Sequence, residues 1–413
     1  MNLQILVGGR GTEALARVDS AVRLALRAHH AGESPDPLFL VPPGTDAQAA
    51  NADALRLGVP ADAGVLMRTS GSTTGTGKIV ALSWDALIAS ANATHDAFGG
   101  PGRWVAELPL HHIAGFQTVA RTALHALRSG NEALTAAYLD LSDADAVVTA
   151  LSGCEGADST GGGPASSDFP ADRVYFSLVP TQLLRILDNP PLLDALRHAV
   201  FLVGGAGVRT ETLNRARAEG IDIHTSYGMT ETCGGCIYDG QPIGDTEVSF
   251  DETGRISLRG RAVALGYLGT DEDFTTELTG IRSHHTKDAG RLTDGRLEVL
   301  GRIDDAITTG GLTVMPSLIE ASLAKTGWDA VVVGVPHLEW GEAVVAVIDD
   351  RDTHAQSCNV TVMRSLVKLD LGEGWAPTYV VGIRDLGGQF PHTDSGKLNR
   401  RELSDMVADH LGL

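Results

Sequence analysis

Short apolar runs alternate with helical periodicity along most of this chain, and that alternation restricts its fold more than any other feature. "NLQILVGG" reads as a short buried strand, and "TEALARVDSAVRLALRAHH" repeats apolar residues every three to four positions, as an amphipathic helix does. "GVLMRTS" is a second strand signal, and "SWDALIASANATHDAF" reads as a helix opened by Ser83 as N-cap. The same pairing returns in "RVYFSLV" before "PTQLLRILD" and in "AVFLVGG" before "RTETLNRARAEG", followed by "DIHTSYG". Such alternation predicts a largely parallel α/β sheet whose binding sites lie in loops beyond the carboxyl ends of the strands.

The pattern breaks twice. Residues 152 to 168, "SGCEGADSTGGGPASSD", carry no large apolar side chain and are expected to form an exposed, mobile loop. From "EVSFDETGRISLRGRAVALGYLG" onward, short alternating strands and tight turns suggest a small β subdomain. After "RLEVLGRIDD" a new α/β pattern begins with "MPSLIEASLAKTG", "DAVVVGV" and "EAVVAVIDD", and continues with "TVMRSLVKLDL" and "TYVVGI". A boundary after residue 302 gives a large α/β domain, 1–302, with its β subdomain, and a small α+β domain, 303–413.

Charge and cysteine content narrow the function. The 413 residues carry a formal net charge of −20, which argues against nucleic-acid or membrane-surface partners and requires local cations wherever an anionic substrate binds. Four cysteines, Cys154, Cys233, Cys236 and Cys358, are too few for a disulfide framework and fit a reducing compartment. The first twenty residues lack a basic start and a long apolar stretch, and no run approaches a membrane span, so a cytoplasmic protein is expected. A homo-oligomer remains compatible with all of this.

"RTSGSTTGTGK", residues 68 to 78, concentrates hydroxyls and glycines ahead of a single lysine. A Walker loop requires G-x-x-x-x-G-K-[ST]. Here Gly71 stands one residue too far from Gly77 and Lys78, and Ile79 replaces the metal-binding hydroxyl. What remains is a loop rich in donors with one cation, suited to gripping phosphates that must leave. An ordinary hydroxyl-rich surface loop has the same composition.

Six further segments settle the comparison, because together with "TSGSTTGTGK" they resemble, in order, the motifs of the adenylate-forming enzymes: acyl-CoA synthetases, luciferases and peptide-synthetase adenylation domains. "PLHHIAG" is similar to the helix start that gates the acyl site, with His112 in the family's histidine position, and "GGAGV" to the adenine-contacting turn. "SYGMTET" is similar to the segment that meets adenine, α-phosphate and magnesium, and "TKDAG" to the ribose motif, with Lys287 in place of the usual glycine. "GRIDD" resembles the hinge, and "PHTDSGKLNR" the terminal motif carrying the catalytic lysine.

The resemblance implies a role for each matching residue. Thr69, Ser70, Gly71, Ser72, Thr73, Thr74, Gly75 and Lys78 would hold ATP's phosphates. Gly205, Ala206, Ser226, Tyr227, Gly228 and Met229 would meet the nucleotide. Thr230 would hydrogen-bond the α-phosphate and Glu231 would hold Mg²⁺ as a hard oxygen ligand. Asp288 would accept both ribose hydroxyls, with Arg302 donating from the other side. Lys397 would bridge the acyl carboxylate and phosphate as a mobile point charge. These roles answer a physical need, since joining a carboxylate to ATP brings two anions together and requires positioning and neutralisation.

The same resemblance implies that the small domain closes to deliver Lys397, then turns about Asp304 to admit the thiol of coenzyme A, with Gly310 and Gly311 lining the thiol tunnel or forming only a turn. "VYFSLVPTQL" and "TSYGMTETCGGCIYDG" look most like the o-succinylbenzoate–CoA ligases of menaquinone biosynthesis. That acid has two carboxylates, and the one remote from the reaction needs a partner. His112, Ser177, Thr181, Arg185, Thr232 and the backbone of Gly234 and Gly235 are the candidate acyl-site residues. Cys233 and Cys236 lack the further ligands of a structural zinc site and read as pocket lining. His111/His112 and His284/His285 are adjacent pairs that point to different sides, so one gate histidine and three ordinary ones are expected. The expected protein is an ATP- and Mg²⁺-dependent acid:CoA ligase. An enzyme adenylating another aromatic or aliphatic acid, one loading a carrier protein, and a nucleotide-binding regulatory module are the alternatives.

Overall fold

The computed structural model describes residues 2–69, 77–152, 173–325, 327–351, 360–392 and 398–413. Internal packing divides the chain into two compact units, residues 1–249 with 257–285, and residues 250–256 with 286–413. The division passes through the strands Arg255–Gly260 and Arg282–Thr293, ahead of the 302/303 boundary read from the sequence.

In the first unit the alternation is realised as two sheets rather than one. Gln4–Val7, Leu38–Val41 and Val65–Arg68 pair in parallel, and Ile79–Leu82 returns antiparallel. Gly266–Tyr267 then joins the edge of Ile79–Leu82. This is the one strand of the expected β subdomain that adds to the first sheet. In the second sheet Arg103–Val105, Val174–Leu178, Val200–Val203 and Asp222–Met229 are all parallel, as expected of strands followed by crossover helices. Gly234–Tyr238 folds back antiparallel on Asp222–Met229.

The helices pack because their apolar stripes recur at helical spacing. The Thr12–His30 helix buries Leu15, Val18, Val22 and Leu26 on one side. Each such side chain contributes about 1.5–3 kcal/mol relative to exposure. Ser83 caps the Trp84–Ala97 helix as expected, its hydroxyl accepting from the Ala86 N–H at 3.1 Å. The Ile113–Ser129 helix is buried along most of its length and packs on both of these helices. Ser152 ends the Ala144–Ser152 helix, and the rest of the 152–168 segment lies outside the described residues.

The second unit centres on an all but antiparallel sheet in the order Leu312–Val314, Ile307–Thr309, Gly341–Ile348, Ala330–His337, with Tyr379–Gly382 parallel to the Gly341–Ile348 strand. The helices Pro316–Ala324 and Val360–Leu371 bury Ile319, Leu323, Met363 and Val367 in one cluster with Val332 and Val344. Leu403 and Val407 of the Arg400–Leu411 helix belong to a separate cluster with Val333 and Val345. A fork from Arg400 to Glu320, with one oxygen at 2.7 Å, ties two of these helices together. No helix among the described residues is long and apolar enough to cross a membrane.

Candidate functional site

The hydroxyl-rich segment lies between two antiparallel strands, Val65–Arg68 and Ile79–Leu82, whose pairing is continued by the Thr69 N–H donating to the Lys78 carbonyl at 2.9 Å. Gly77 is required there, since a Cβ would stand 1.8 Å from the Thr69 carbonyl oxygen. Ser70, Gly71, Ser72, Thr73, Thr74 and Gly75 lie outside the described residues, but both ends of the loop are placed. Lys78 projects from the exit, where its ammonium sits 2.8 Å from Glu272 and 4.4 Å from the centre of the Tyr267 ring.

Tyr267 links that lysine to the expected magnesium ligand. Its hydroxyl donates to Glu231 Oε1 at 2.7 Å, and Glu231 is 8% exposed. Thr230, Glu231 and Thr232 form a single 3-10 turn directly after the Asp222–Met229 strand. His284 lies behind them, buried against Phe274 with ring centres 4.6 Å apart. Burial pushes its pKa down, against the opposing pull of the Glu231 charge. Lys78, Tyr267 and Glu231 thus place one cation and one hard oxygen donor around a shared phenol. A buried carboxylate with one oxygen fixed in this way suits a divalent cation that keeps its remaining positions for water and phosphate.

Sequence reasoning did not single out Tyr267, and it counted His284 among three ordinary histidines. The only signal was an aromatic residue in "GYLG", and its relation to Glu231 exists only because Gly266–Tyr267 joins the edge of the first sheet. Tyr267→Phe keeps the ring beneath Lys78 but removes the hydrogen bond to Glu231. We expect about a tenfold loss in kcat/KM for adenylation with the Mg²⁺ requirement raised, measured by pyrophosphate release against MgCl₂. An unchanged Mg²⁺ dependence would show that the bond does not position the carboxylate.

Two of the segments expected to meet the nucleotide lie side by side. A Cβ on Gly204 would stand 3.0 Å from the Ser226 carbonyl oxygen, so the "GGAGV" turn rests against the start of "SYGMTET". Gly205 and Ala206 are exposed in that turn, at the carboxyl end of Val200–Val203. Ser226, Tyr227, Gly228 and Met229 are half-buried at the end of the adjacent strand. At Gly228 a Cβ would stand 2.2 Å from the Gly234 carbonyl oxygen, both groups being backbone. Gly228→Ala must therefore push the two strands apart. The expected results are a stability loss of about 1–3 kcal/mol in denaturant titration and a fall in adenylation larger than that loss explains.

The candidate acyl-site residues fall into two groups. His112 is the exposed N-cap of the Ile113–Ser129 helix. One turn on, Gln117 donates to the Cys233 carbonyl at 2.7 Å, and Ser90 reaches the same oxygen at 2.9 Å. Gly234 faces Ile113 and Gln117, so the His112 helix and the Thr232–Gly235 segment are brought together. Thr232 is buried, and its hydroxyl closes its own turn, donating to the Gly234 carbonyl at 2.7 Å and accepting from the Met229 N–H at 3.0 Å. Gly235 leaves room for Ser226 Oγ, 2.1 Å from where a Cβ would stand. Ser177 is buried in the Val174–Leu178 strand.

Thr181 and Arg185 form the second group, exposed one turn apart on the Pro180–Leu187 helix. Gln182 of that helix hydrogen-bonds the buried Glu107. Burial raises the Glu107 pKa, and Arg10 and Arg185 act to lower it. The Arg185 charge is thus felt by a carboxylate of the chain.

Asp288, Arg302, Asp304, Gly310 and Gly311 belong to the second unit. Asp288 and Arg302 are opposite one another across the hairpin of Arg282–Thr293 and Arg296–Arg302. The Arg302 guanidinium forks onto both oxygens of Asp304 at 2.7 Å each. Burial acts to raise the Asp304 pKa, but the Arg302 hydrogen bonds and charge outweigh it and hold the carboxyl below its usual range. Lys287 is exposed in continuous strand and needs no glycine conformation. Gly310 and Gly311, both at positive φ, form the two-residue turn between Ile307–Thr309 and Leu312–Val314, the conformation such hairpins favour. Lys397 lies outside the described residues.

The paired cysteines are inert in place. Cys233 and Cys236 are buried free thiols, and burial drives both pKa values up, that of Cys236 to about 12. Among the described residues no cluster of three or more His, Cys, Asp or Glu could hold a metal ion.

Two antiparallel strands thus flank "TSGSTTGTGK", and a parallel sheet runs into "SYGMTET". Residues 174–268 match the family described as AMP-binding enzyme. The chain belongs to the 2-succinylbenzoate–CoA ligase family: it is 36% identical over 302 residues to the probable 2-succinylbenzoate–CoA ligase of Mycobacterium tuberculosis (strain H37Rv), covering 71% of this chain and 73% of that protein. It is 28% identical over 293 residues to the 2-succinylbenzoate–CoA ligase of Escherichia coli (strain K12), covering 68% of this chain and 57% of that one. Among solved structures, the o-succinylbenzoate CoA synthetase (MenE) of Bacillus subtilis in complex with the acyl-adenylate intermediate OSB-AMP superposes with a TM-score of 0.67 at 21% identity, over 98% of this chain and 88% of that one. ATP-bound MatB from Rhodopseudomonas palustris gives 0.68 at 20% identity over the same shares. These two likenesses establish the fold.

Proposed function

We propose that the protein is an AMP-forming acid:CoA ligase that converts o-succinylbenzoate, ATP and coenzyme A to o-succinylbenzoyl-CoA, AMP and pyrophosphate, a step of menaquinone biosynthesis. The observation that carries this reading is the array of Lys78, Tyr267 and Glu231 at the mouth of the phosphate loop, in a chain of this family. The acid's carboxylate oxygen attacks the α-phosphorus, the bond to the β-phosphate oxygen breaks and pyrophosphate departs. The thiol sulfur then attacks the acyl carbon and AMP leaves. Mg²⁺, when bound at Glu231, neutralises charge on the triphosphate.

The chain's own groups divide the remaining work. Lys78 and the loop of residues 69–75 hold the departing phosphates, and Thr230 donates to the α-phosphate. Ser226 to Met229, with Gly205 and Ala206, seat the nucleotide, and Asp288 holds the ribose. Arg302 donates to the ribose from the other side, since its fork onto Asp304 uses only Nε and Nη2 of the five N–H donors a guanidinium carries. Residues 1–302 and 303–413 are proposed as the parts that move, with Asp304 as pivot. His112, Ser177 and the Gly234–Gly235 backbone line the acyl site, where Thr232 acts by shaping the turn. Thr181 and Arg185 meet the remote carboxylate. A cytoplasmic location and small-molecule partners fit the charge of −20 and the free thiols.

A panel of aromatic and aliphatic acids assayed for pyrophosphate release, with and without CoA, tests this reading. We expect o-succinylbenzoate to exceed the other acids and CoA to yield its thioester. Adenylation with transfer only to a phosphopantetheinylated protein would replace the ligase with a carrier-loading enzyme.

A further inference from the structure

The ammonium of Lys78 is held by an acidic turn of the first unit that none of the roles above uses. Thr270, Asp271, Glu272 and Asp273 lie in the connection between the strands Gly266–Tyr267 and Phe274–Thr276. Glu272 Oε2 accepts from Lys78 Nζ at 2.8 Å, and Asp273 Oδ2 lies 4.0 Å from the same nitrogen. With the Tyr267 ring on another side, the cation meant for phosphate already has partners from the chain.

The backbone of this turn is fixed, whereas the Glu272 side chain is not. Asp273 has a φ of 64°, a left-handed conformation uncommon for a residue other than glycine. Its carbonyl oxygen accepts from the His285 N–H at 2.8 Å and lies 3.1 Å from His284 Nδ1. The Glu272 N–H donates to Thr270 Oγ1 at 3.2 Å. Glu272 is thereby set opposite Lys78, while its side chain, 69% exposed, can turn into solvent.

Folding does not account for this placement, because an exposed ion pair contributes little to stability. Its effect on a phosphate is direct. A phosphate oxygen that binds Lys78 must take the ammonium from Glu272, and a carboxylate beside a phosphate repels it. When the phosphate leaves, the same carboxylate takes the ammonium back.

We propose that Glu272 is a positioning residue acting through Lys78: it holds the ammonium between turnovers, competes with phosphate for it, and so keeps the grip on pyrophosphate loose enough for release. This inference rests on the reading of Lys78 as a phosphate ligand. The exchange at Nζ is one of hydrogen bonds, and no covalent bond changes.

Two measurements on the full chain test it: calorimetric titration with pyrophosphate in MgCl₂, and KM for ATP in adenylation of o-succinylbenzoate. Glu272→Gln keeps the size of the side chain and removes its charge. We expect it to bind pyrophosphate about fivefold more tightly and to lower KM for ATP by a similar factor. Its kcat should not rise, because the gain falls on bound ATP as much as on the transition state. Asp271→Asn removes a charge of the same sign from the same turn, but from a residue that does not pair with Lys78, and should change either value by less than about twofold. Lys78→Met should weaken pyrophosphate binding by about tenfold or more. Unchanged or weaker pyrophosphate binding in Glu272→Gln, or equal tightening in Asp271→Asn, would overturn the role of Glu272 and leave that of Lys78 standing. Unchanged binding in Lys78→Met would remove the phosphate role of Lys78 itself, and this inference with it.

Discussion

Lys397→Ala is expected to lower pyrophosphate release from ATP and o-succinylbenzoate by about a hundredfold or more, the scale of losing a charge that stabilises a transition state. Thioester formation from supplied acyl-adenylate and CoA should stay within a few-fold of the unaltered protein. The split follows from chemistry. In the first step a carboxylate and a triphosphate approach one another, and a cation between them is needed. In the second step a thiol attacks a carbonyl, and the phosphate is only a leaving group. Rapid-quench assays of each half-reaction separate the two. Equal loss in both steps would place Lys397 in the frame of the site and end its assignment to the first step.

Glu231→Gln should be as damaging to the same step, by about a hundredfold, but with a different signature. The substitution preserves shape and the hydrogen bond from Tyr267, and removes only the negative charge. Adenylation should therefore need more Mg²⁺, and part of the lost rate should return as MgCl₂ is raised. In Lys397→Ala no amount of Mg²⁺ restores it. A Glu231→Gln protein with normal Mg²⁺ dependence would assign the metal to other ligands. The milder loss expected of Tyr267→Phe belongs to the same series, since that change frees the carboxylate without discharging it.

Local patterns made most of the fold legible. Leu15, Val18, Val22 and Leu26 recur at helical spacing, and Ser83 caps its helix as its sequence position suggests. The parallel strands ending at Leu178, Val203 and Met229 follow from apolar runs between helices. The separation into two sheets was not legible, because it depends on which strands find one another across the chain. The candidate site divides in the same way. Residues within a motif, such as Thr230 and Glu231, are visible as a string, whereas Tyr267 reaches Glu231 only through the Gly266–Tyr267 edge pairing. The Arg302–Asp304 pair is close in sequence, yet the fork of one guanidinium onto both carboxylate oxygens appears only in the structure.

The central claim is that one chain activates o-succinylbenzoate and then transfers it to CoA. The most direct measurement is a single turnover: enzyme in excess over o-succinylbenzoate, with ATP and Mg²⁺ but no CoA, followed by CoA after a delay. We expect an enzyme-held adenylate of o-succinylbenzoate and one equivalent of pyrophosphate before the addition, then AMP and o-succinylbenzoyl-CoA after it. No adenylate before CoA, or an adenylate that CoA does not discharge, would contradict the account.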